Sequence, residues 1–393
     1  MAKKSGNQKL KMVRSFTCYF LFCIIFSLNA VWAQEHPEID REMNEALINI
    51  VAHSVPGISV AVANKNGVIW SGAAGFSNID DGVTLSQSHL LGIGDITNQF
   101  IGTILLQMEQ EGVVNLNATP KSILGDVVAN IENADTASLY QLLNNTSGIY
   151  SWSDDEDWAR RGRGIQLNPH YQWRRDEVLQ YITKDLHQAL SIPGEMRHYS
   201  KSNYTILGLI IEKITGGPLE LEVRNRILAP LKLTHTYYDT YEILPQGGLA
   251  GSYHLGTNQF ISKVGINADF ETESNLFINT SGTSLSSEGL AGGMVTTPRE
   301  LAIFASALWN GKIINEKDLT TILPEKINGH TGIHSEILGF TADIRKIENS
   351  DIIIVSMINL GAVNSGKSPM KDYLDSYMDK ILLPIAKKYA SVK

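Results

Sequence analysis

From Pro56 to Phe76 the chain reads PGISVAVANKNGVIWSGAAGF, with apolar residues alternating with small or polar ones on both sides of Asn66-Gly67. That dipeptide supplies the positive φ angles of a tight hairpin turn, so the pattern predicts two antiparallel strands. Near the other end, EILGFTADIRKI and DIIIVSMIN flank a short polar turn at Glu348 to Ser350 and predict a second hairpin of similar length. Between the two, Ile96, Phe100, Ile104 and Met108 recur at four-residue spacing and Gly112 closes the run; NYTILGLIIEKITGG also ends in glycines. Both predict helices, and the segment from Lys371 to Ala390 has helical spacing as well.

Strands first, helices between and strands last describe an α/β fold: one antiparallel sheet assembled from both chain ends, with flanking helices and an inserted, mainly helical region. The sheet regions fall at about 43–94 and 300–393 and the helical region at about 95–299, with no internal repeat or linker to divide the segment 34–393 into more than a single domain.

The N-terminus changes the picture of where the protein works. Lys3, Lys4, Lys9, Lys11 and Arg14 precede the apolar run CYFLFCIIFSLNAVWA, and Val31 and Ala33 supply small-residue cleavage chemistry before Gln34. Residues 1–33 read as a secretory signal peptide, the run being shorter than the roughly 20 residues that span a bilayer; the alternative is an uncleaved anchor. A periplasmic or secreted protein with no stable membrane insertion after cleavage is expected. Cys18 and Cys23 both lie in this segment, so the mature chain is expected to carry neither disulfides nor a cysteine nucleophile. Its five basic and no acidic residues mean that cleavage moves the formal charge from −8 to −13, which disfavours nucleic acid and suits a small-molecule or peptide ligand.

One segment, YSWSDDEDWARRGRG from Tyr150 to Gly164, mixes aromatics, an acidic run and three arginines. It fits a solvated surface loop and the mouth of a cleft equally well.

Taken together, VPGISVAVANKNGVIWSGAAGF, LYQLLNNTSGI, PGEMRHYSKSNYTILGLIIEKITG, LAGGMVTTPRELAIFASALWNGK and GHTG resemble the serine β-lactamase and penicillin-binding-protein superfamily, in its class C β-lactamase, D-alanyl-D-alanine carboxypeptidase and esterase branch. The likeness runs from about Asn44 to the end and implies a β-lactamase/transpeptidase-like fold. In that family a Ser-x-x-Lys motif opens a helix, the serine attacking a carbonyl and the lysine handling its proton. Here the two positions read Asp95 and Asn98. The family's Tyr-x-Asn motif reads Tyr199 and Lys201, and its Lys/His-Thr/Ser-Gly strand is matched by His330, Thr331 and Gly332. Lysine and asparagine have exchanged places, and the resemblance implies that Asp95, Asn98, Tyr199, Lys201 and His330 to Gly332 border one pocket.

Aspartate also caps helix N-termini well, which is the plainest role for Asp95. A carboxylate beside the family's oxyanion donors would repel the developing negative charge, and oxyanion stabilisation contributes roughly 3 kcal/mol per donor, so serine-type acyl transfer is not expected. Ser368-Pro-Met-Lys371 matches Ser-x-x-Lys as text but opens the terminal helix, and Ser147 sits in a turn. No metal or other cofactor is expected, because His330 and His334 flank a strand-like segment where a spacing of four does not converge. Two functions follow: a retooled enzyme in which Asp95 is acid, base or carboxylate nucleophile, Lys201 and Tyr199 tune it, and Asn98, His330, Thr331 and Gly332 bind substrate; or a pseudoenzyme that binds a cell-wall peptide or related metabolite. Residual hydrolysis is a third.

Overall fold

The computed structural model describes residues 36–52, 55–239, 241–271, 277–323 and 330–392. The signal-like segment 1–33 and both cysteines lie outside the described residues. Strands β1 (Gly57–Asn64), β2 (Gly67–Asn78), β3 (Val83–Thr84), β4 (Gly332–Ile337), β5 (Phe340–Lys346) and β6 (Ile353–Ile358) form one antiparallel sheet in the order β3-β2-β1-β6-β5-β4. The two chain ends meet at β1, where Val60 stands opposite Gly72 on one side and Ser356 on the other. The fold is α/β, with the antiparallel sheet built from both chain ends as expected.

Both faces of this sheet are covered, which explains why β1 and β6 read as nearly continuous apolar runs. Ile58, Val60 and Val62 pack with Met43, Leu47 and Ile50 of helix α1 (Pro37–Ala52) and with the C-terminal Leu382, Leu383 and Ala386. On the other face the short side chains of Ala61 and Ala63 admit helix α5 (Pro298–Trp309), whose Phe304 stacks at 3.7 Å on Phe100 of helix α2 (Thr97–Gln110). All four residues of the Ile96 to Met108 series are buried, and Gly112 takes a φ of 71° just past the helix end.

Three local expectations are refined. EILGFTADIRKI is two strands rather than one: Gly339, at φ 83°, turns the chain between β4 and β5 so closely against Ser252 that a Cβ would lie 2.5 Å from it. The closing segment is interrupted. Helix α6 (Pro369–Leu374) and helix α7 (Leu383–Ser391) are separated by a π-helical stretch at Met378–Leu382, and Pro384, which has no N–H to return to the carbonyl four residues back, explains the widened turn. The insertion carries helix α3 (Glu156–Arg163) and helix α4 (Lys201–Thr215), but it also contributes to two small three-stranded sheets whose strands of two or three residues are too short to show a period. No helix among the described residues is long and apolar enough to cross a membrane.

Candidate functional site

The starts of α2 and α4 border a cavity of about 320 Å³ that β4 and residues 362–366 also line. Asp95, Ser153, Asp154, Arg163, Tyr199 and Lys201 line it on the helical side, and Glu336 and Lys371 on the other.

Asp95 does not cap α2. It lies in the single 3-10 turn Gly94–Ile96, the cap position falls on Ile96, and no side chain caps either element. Its carboxylate turns instead to Lys201, whose ammonium stands 2.9 Å from Oδ1. Lys201 opens α4, a position that the helix dipole disfavours for a cation. Burial to 3% exposure makes that cost larger, and two carboxylates offset it: Asp95, and Glu288 at 2.6 Å. The Trp152 ring lies 5.4 Å from the same ammonium.

Glu288 extends the chain of alternating charge. Arg163, at the C-terminus of α3, donates to it from Nε at 3.0 Å and from a terminal nitrogen at 2.8 Å, and reaches Asn364 at 3.2 Å with the other. Burial by itself would raise the Glu288 carboxyl; Arg163 and Lys201 overcome this and hold it below its ordinary value. Arg163 also lies over the Trp158 ring at 4.6 Å. The segment from Tyr150 to Gly164 is therefore no solvated loop: Trp152 and Trp158 are fully buried against each other, and the helix they anchor delivers Arg163 to the cavity.

Tyr199 leaves 47% of its surface exposed, yet its hydroxyl is tied down: it accepts from the Asn98 amide at 2.7 Å and bonds to Asp95. Desolvation, with the Asp95 charge beside it, raises this phenol well above its ordinary value, so it keeps its proton. The Asp95 backbone N–H is also spoken for, donating to Ser335 Oγ at 2.7 Å.

That last contact corrects the expected strand motif. Ser335 and Glu336 of β4 border Asp95 and the cavity; His330, Thr331 and Gly332 stand at the opening of the strand, with Gly332 paired to Arg345 and Thr331 accepting from Lys346. The text GHTG pointed to the segment that opens this strand, whereas Ser335 and Glu336 belong to HSE, which begins two residues on from Gly332 and does not spell the motif. Asp95, Asn98, Tyr199 and Lys201 do come together. Glu288, Arg163, Glu336 and Lys371 were missed; the sole signal for Glu288 is a glutamate alone in the apolar, glycine-rich LSSEGLAGGMV. Ser368 caps α6 by accepting from the Lys371 N–H at 3.1 Å.

His334, Glu336 and Asp375 approach one another closely enough to invite a metal. The Lys371 ammonium already occupies that position, 2.8 Å from Glu336 and 3.2 Å from Asp375, and His334 is raised to about 10 by Asp343 and Glu336 against the opposing effect of burial, which keeps both ring nitrogens as donors. The residues do not fit a cation.

A family model described as Beta-lactamase matches residues 38–349. Protein flp of Staphylococcus aureus (strain COL) is 28% identical over 231 residues, covering 57% of this chain and 44% of that protein. The N-acetylmuramyl-L-alanine amidase of Bacillus subtilis (strain 168) is 24% identical over 228 residues, 54% and 49% of the two chains. The chain spans about half the length of these curated relatives. Among solved structures, D-amino acid amidase from Ochrobactrum anthropi SV3, complexed with L-phenylalanine, superposes with a TM-score of 0.73 at 22% identity, over 89% of this chain and 99% of that one. FmtA from Staphylococcus aureus gives 0.62 at 17% identity, over 88% and 89%.

Proposed function

The chain belongs to the Beta-lactamase family, and from that premise we propose that it is a secreted or periplasmic binding protein: its former acyl pocket holds a small amino-acid or peptide ligand without transferring an acyl group. The observation that carries this reading is the Lys201 ammonium, buried and shared between Asp95 at 2.9 Å and Glu288 at 2.6 Å. A lysine so held is taken up by its two carboxylates, and a carboxylate engaged by Lys201 and Tyr199 must shed a partner before it can attack.

Two further contacts support it. The phenol of Tyr199 is a donor that keeps its proton, and the Asp95 N–H, one of the backbone groups beside the ancestral nucleophile, is saturated by Ser335. An oxyanion would have to displace that hydroxyl and form next to a carboxylate. The cavity, near the lower end of the roughly 300–1,000 Å³ range of small-molecule sites, suits an amino acid or dipeptide. The solved amidase complexes with phenylalanine make D-amino acid derivatives the first compounds to try.

Incubation of the purified protein with fluorescent penicillin, with D-alanyl-D-alanine and with a set of D- and L-amino acid amides, followed by intact-mass and product analysis, tests the reading. The expected result is saturable binding of at least one compound, with no covalent adduct and no product. Turnover that Asp95→Asn abolishes while sparing binding would replace this reading with the acid–base enzyme, in which Asp95, Lys201 and Tyr199 act on the substrate. A serine adduct would establish residual hydrolase chemistry.

A further inference from the structure

Every basic group lining the cavity is already committed. Lys201 serves Asp95 and Glu288; Arg163 serves Glu288 and Asn364; Lys371 serves Glu336 and Asp375. Of the lining carboxylates, Asp95 and Glu336 have cations within 2.9 Å. Asp154 makes no ion pair among the described residues.

Nor is Asp154 a side chain on a wandering loop. Its residue closes the 3-10 turn Trp152–Asp154, where its N–H bonds to the Ser151 carbonyl at 3.0 Å and its own carbonyl accepts from Tyr150 at 3.3 Å. Trp152, fully buried, pins that turn to α4 through its backbone N–H to Ser202 at 3.0 Å and its indole N–H to Thr205 at 3.1 Å. The carboxylate is thus held at the cavity mouth on rigid backbone, close enough to feel the charges of Arg163, Lys201 and Asp95 but bonded to none of them. Preorganised, with the neighbouring Ser153 hydroxyl bonded to it and no cation paired to it among the described residues, it is the arrangement that binds a charged ligand with little ordering cost.

We propose that Asp154 anchors the ammonium group of the ligand, so that the cavity selects compounds with a free primary amine, such as an amino acid amide or the N-terminus of a short peptide. The inference rests on the binding reading above and adds the ligand class to it. The same charge count argues against an anionic ligand, because among the described residues the cavity has no uncommitted cation to receive one.

The probes are D- and L-phenylalaninamide and their N-acetyl derivatives, which keep shape and lose charge, titrated calorimetrically into the full mature chain. Native protein should bind a free amide at least tenfold more tightly than its N-acetyl partner. Asp154→Asn should lose about tenfold or more for the free amine and leave the acetylated compound unchanged, the scale of one hydrogen bond to a charged group. Asp157→Asn, an exposed change on α3 outside the cavity, should alter neither. Circular dichroism checks that the variants fold, and the native comparison stands without them. Equal affinity for free and acetylated compounds, an unaffected Asp154→Asn, or no binding of either free amine at millimolar concentration would overturn the inference. Acetylated compounds that bind well with no preference for the amine would overturn it alone, leaving the binding reading in place. Turnover of an amide with KM raised in Asp154→Asn would keep the anchor and overturn the binding reading.

Discussion

The protein carries two buried charge networks, one beside the cavity and one along the edge of the sheet. In the first, Asp95, Lys201, Glu288 and Arg163 alternate in sign between helix ends. In the second, His334, Asp343 and Arg345 of β4 and β5 connect to Asp379 and Tyr377 at the C-terminus and, through Glu336, to Lys371. The second reaches the cavity only at its end, through Glu336 and Lys371; its inner groups pair with one another, and it ties the terminal helices to the sheet. The first sits beside Asp154, a carboxylate that no cation pairs with among the described residues. Buried ion pairs are weak grounds for stability as such, so the comparison asks which network serves binding and which only holds the fold.

The largest effects should come from removing one central cation in each. Lys201→Met takes the cation from Asp95 and leaves Glu288 to Arg163, and Arg345→Met takes one cation from Asp343 and Asp379; each should cost about 3–5 kcal/mol in denaturant unfolding. Only the Lys201 variant should also change ligand affinity. If Arg345→Met weakens binding as strongly, the division between the networks fails.

A smaller effect should appear in the pH dependence of stability, and it belongs to the sheet-edge network. His334 is raised to about 10 from its ordinary 6.5, so its contribution is fully present below pH 6.5 and is lost as pH rises through about 10. Glu336, lowered to about 2 from 4.5 chiefly by His334 and Lys371 against the effect of burial, contributes above pH 4.5 and is lost as pH falls through 2. Thermal unfolding should therefore show a plateau near pH 4.5–6.5 and an alkaline decline of about 1–2 kcal/mol, after allowance for the partial exposure of the His334 ring. His334→Asn should flatten that decline; a native profile level to pH 10 would contradict the assigned charge.

Double-mutant cycles sharpen the cavity network further. Lys201 with Glu288 should couple by about 1–3 kcal/mol and Lys201 with Asp95 by less, since the Glu288 side chain is 1% exposed and that of Asp95 22%. Additive effects for both pairs would mean that the chain of charges is only proximity. The smallest signal is catalytic: the triple change Asp95→Ser, Asn98→Lys and Lys201→Asn should give slow, detectable acylation by an ester or β-lactam, with Glu288 still paired to Arg163. A folded triple variant that forms no acyl-enzyme would show that the contact of Ser335 on the residue-95 N–H, or drift around it, also blocks the chemistry.

Much of this was legible because it is local. The Asn66-Gly67 hairpin, the Ile96 to Met108 stripe and the apolar runs that became β1 and β6 state their partners by period alone. Gly339 hid a turn inside what reads as one strand, and Pro384 broke a segment whose spacing is otherwise helical. The strand motif failed for a different reason. Gly332 opens the strand that carries His334, Ser335 and Glu336, and which of these residues meets Asp95 depends on register with β5, which text does not contain.

The sequence by itself determined the family and the α/β architecture, because each is a property of order and spacing along one chain, and it put Asp95, Asn98 and Lys201 forward as site residues. Only the tertiary structure decided what those residues do to one another. Glu288 is 87 positions from Lys201 and 125 from Arg163, so no spacing could announce that it would neutralise both. Nor could any spacing show that Asp154, a few residues from Arg163 in sequence, would be the cavity's one lining carboxylate left without an ion pair among the described residues. Charges act through space with a strength set by distance and burial, and both are created by folding.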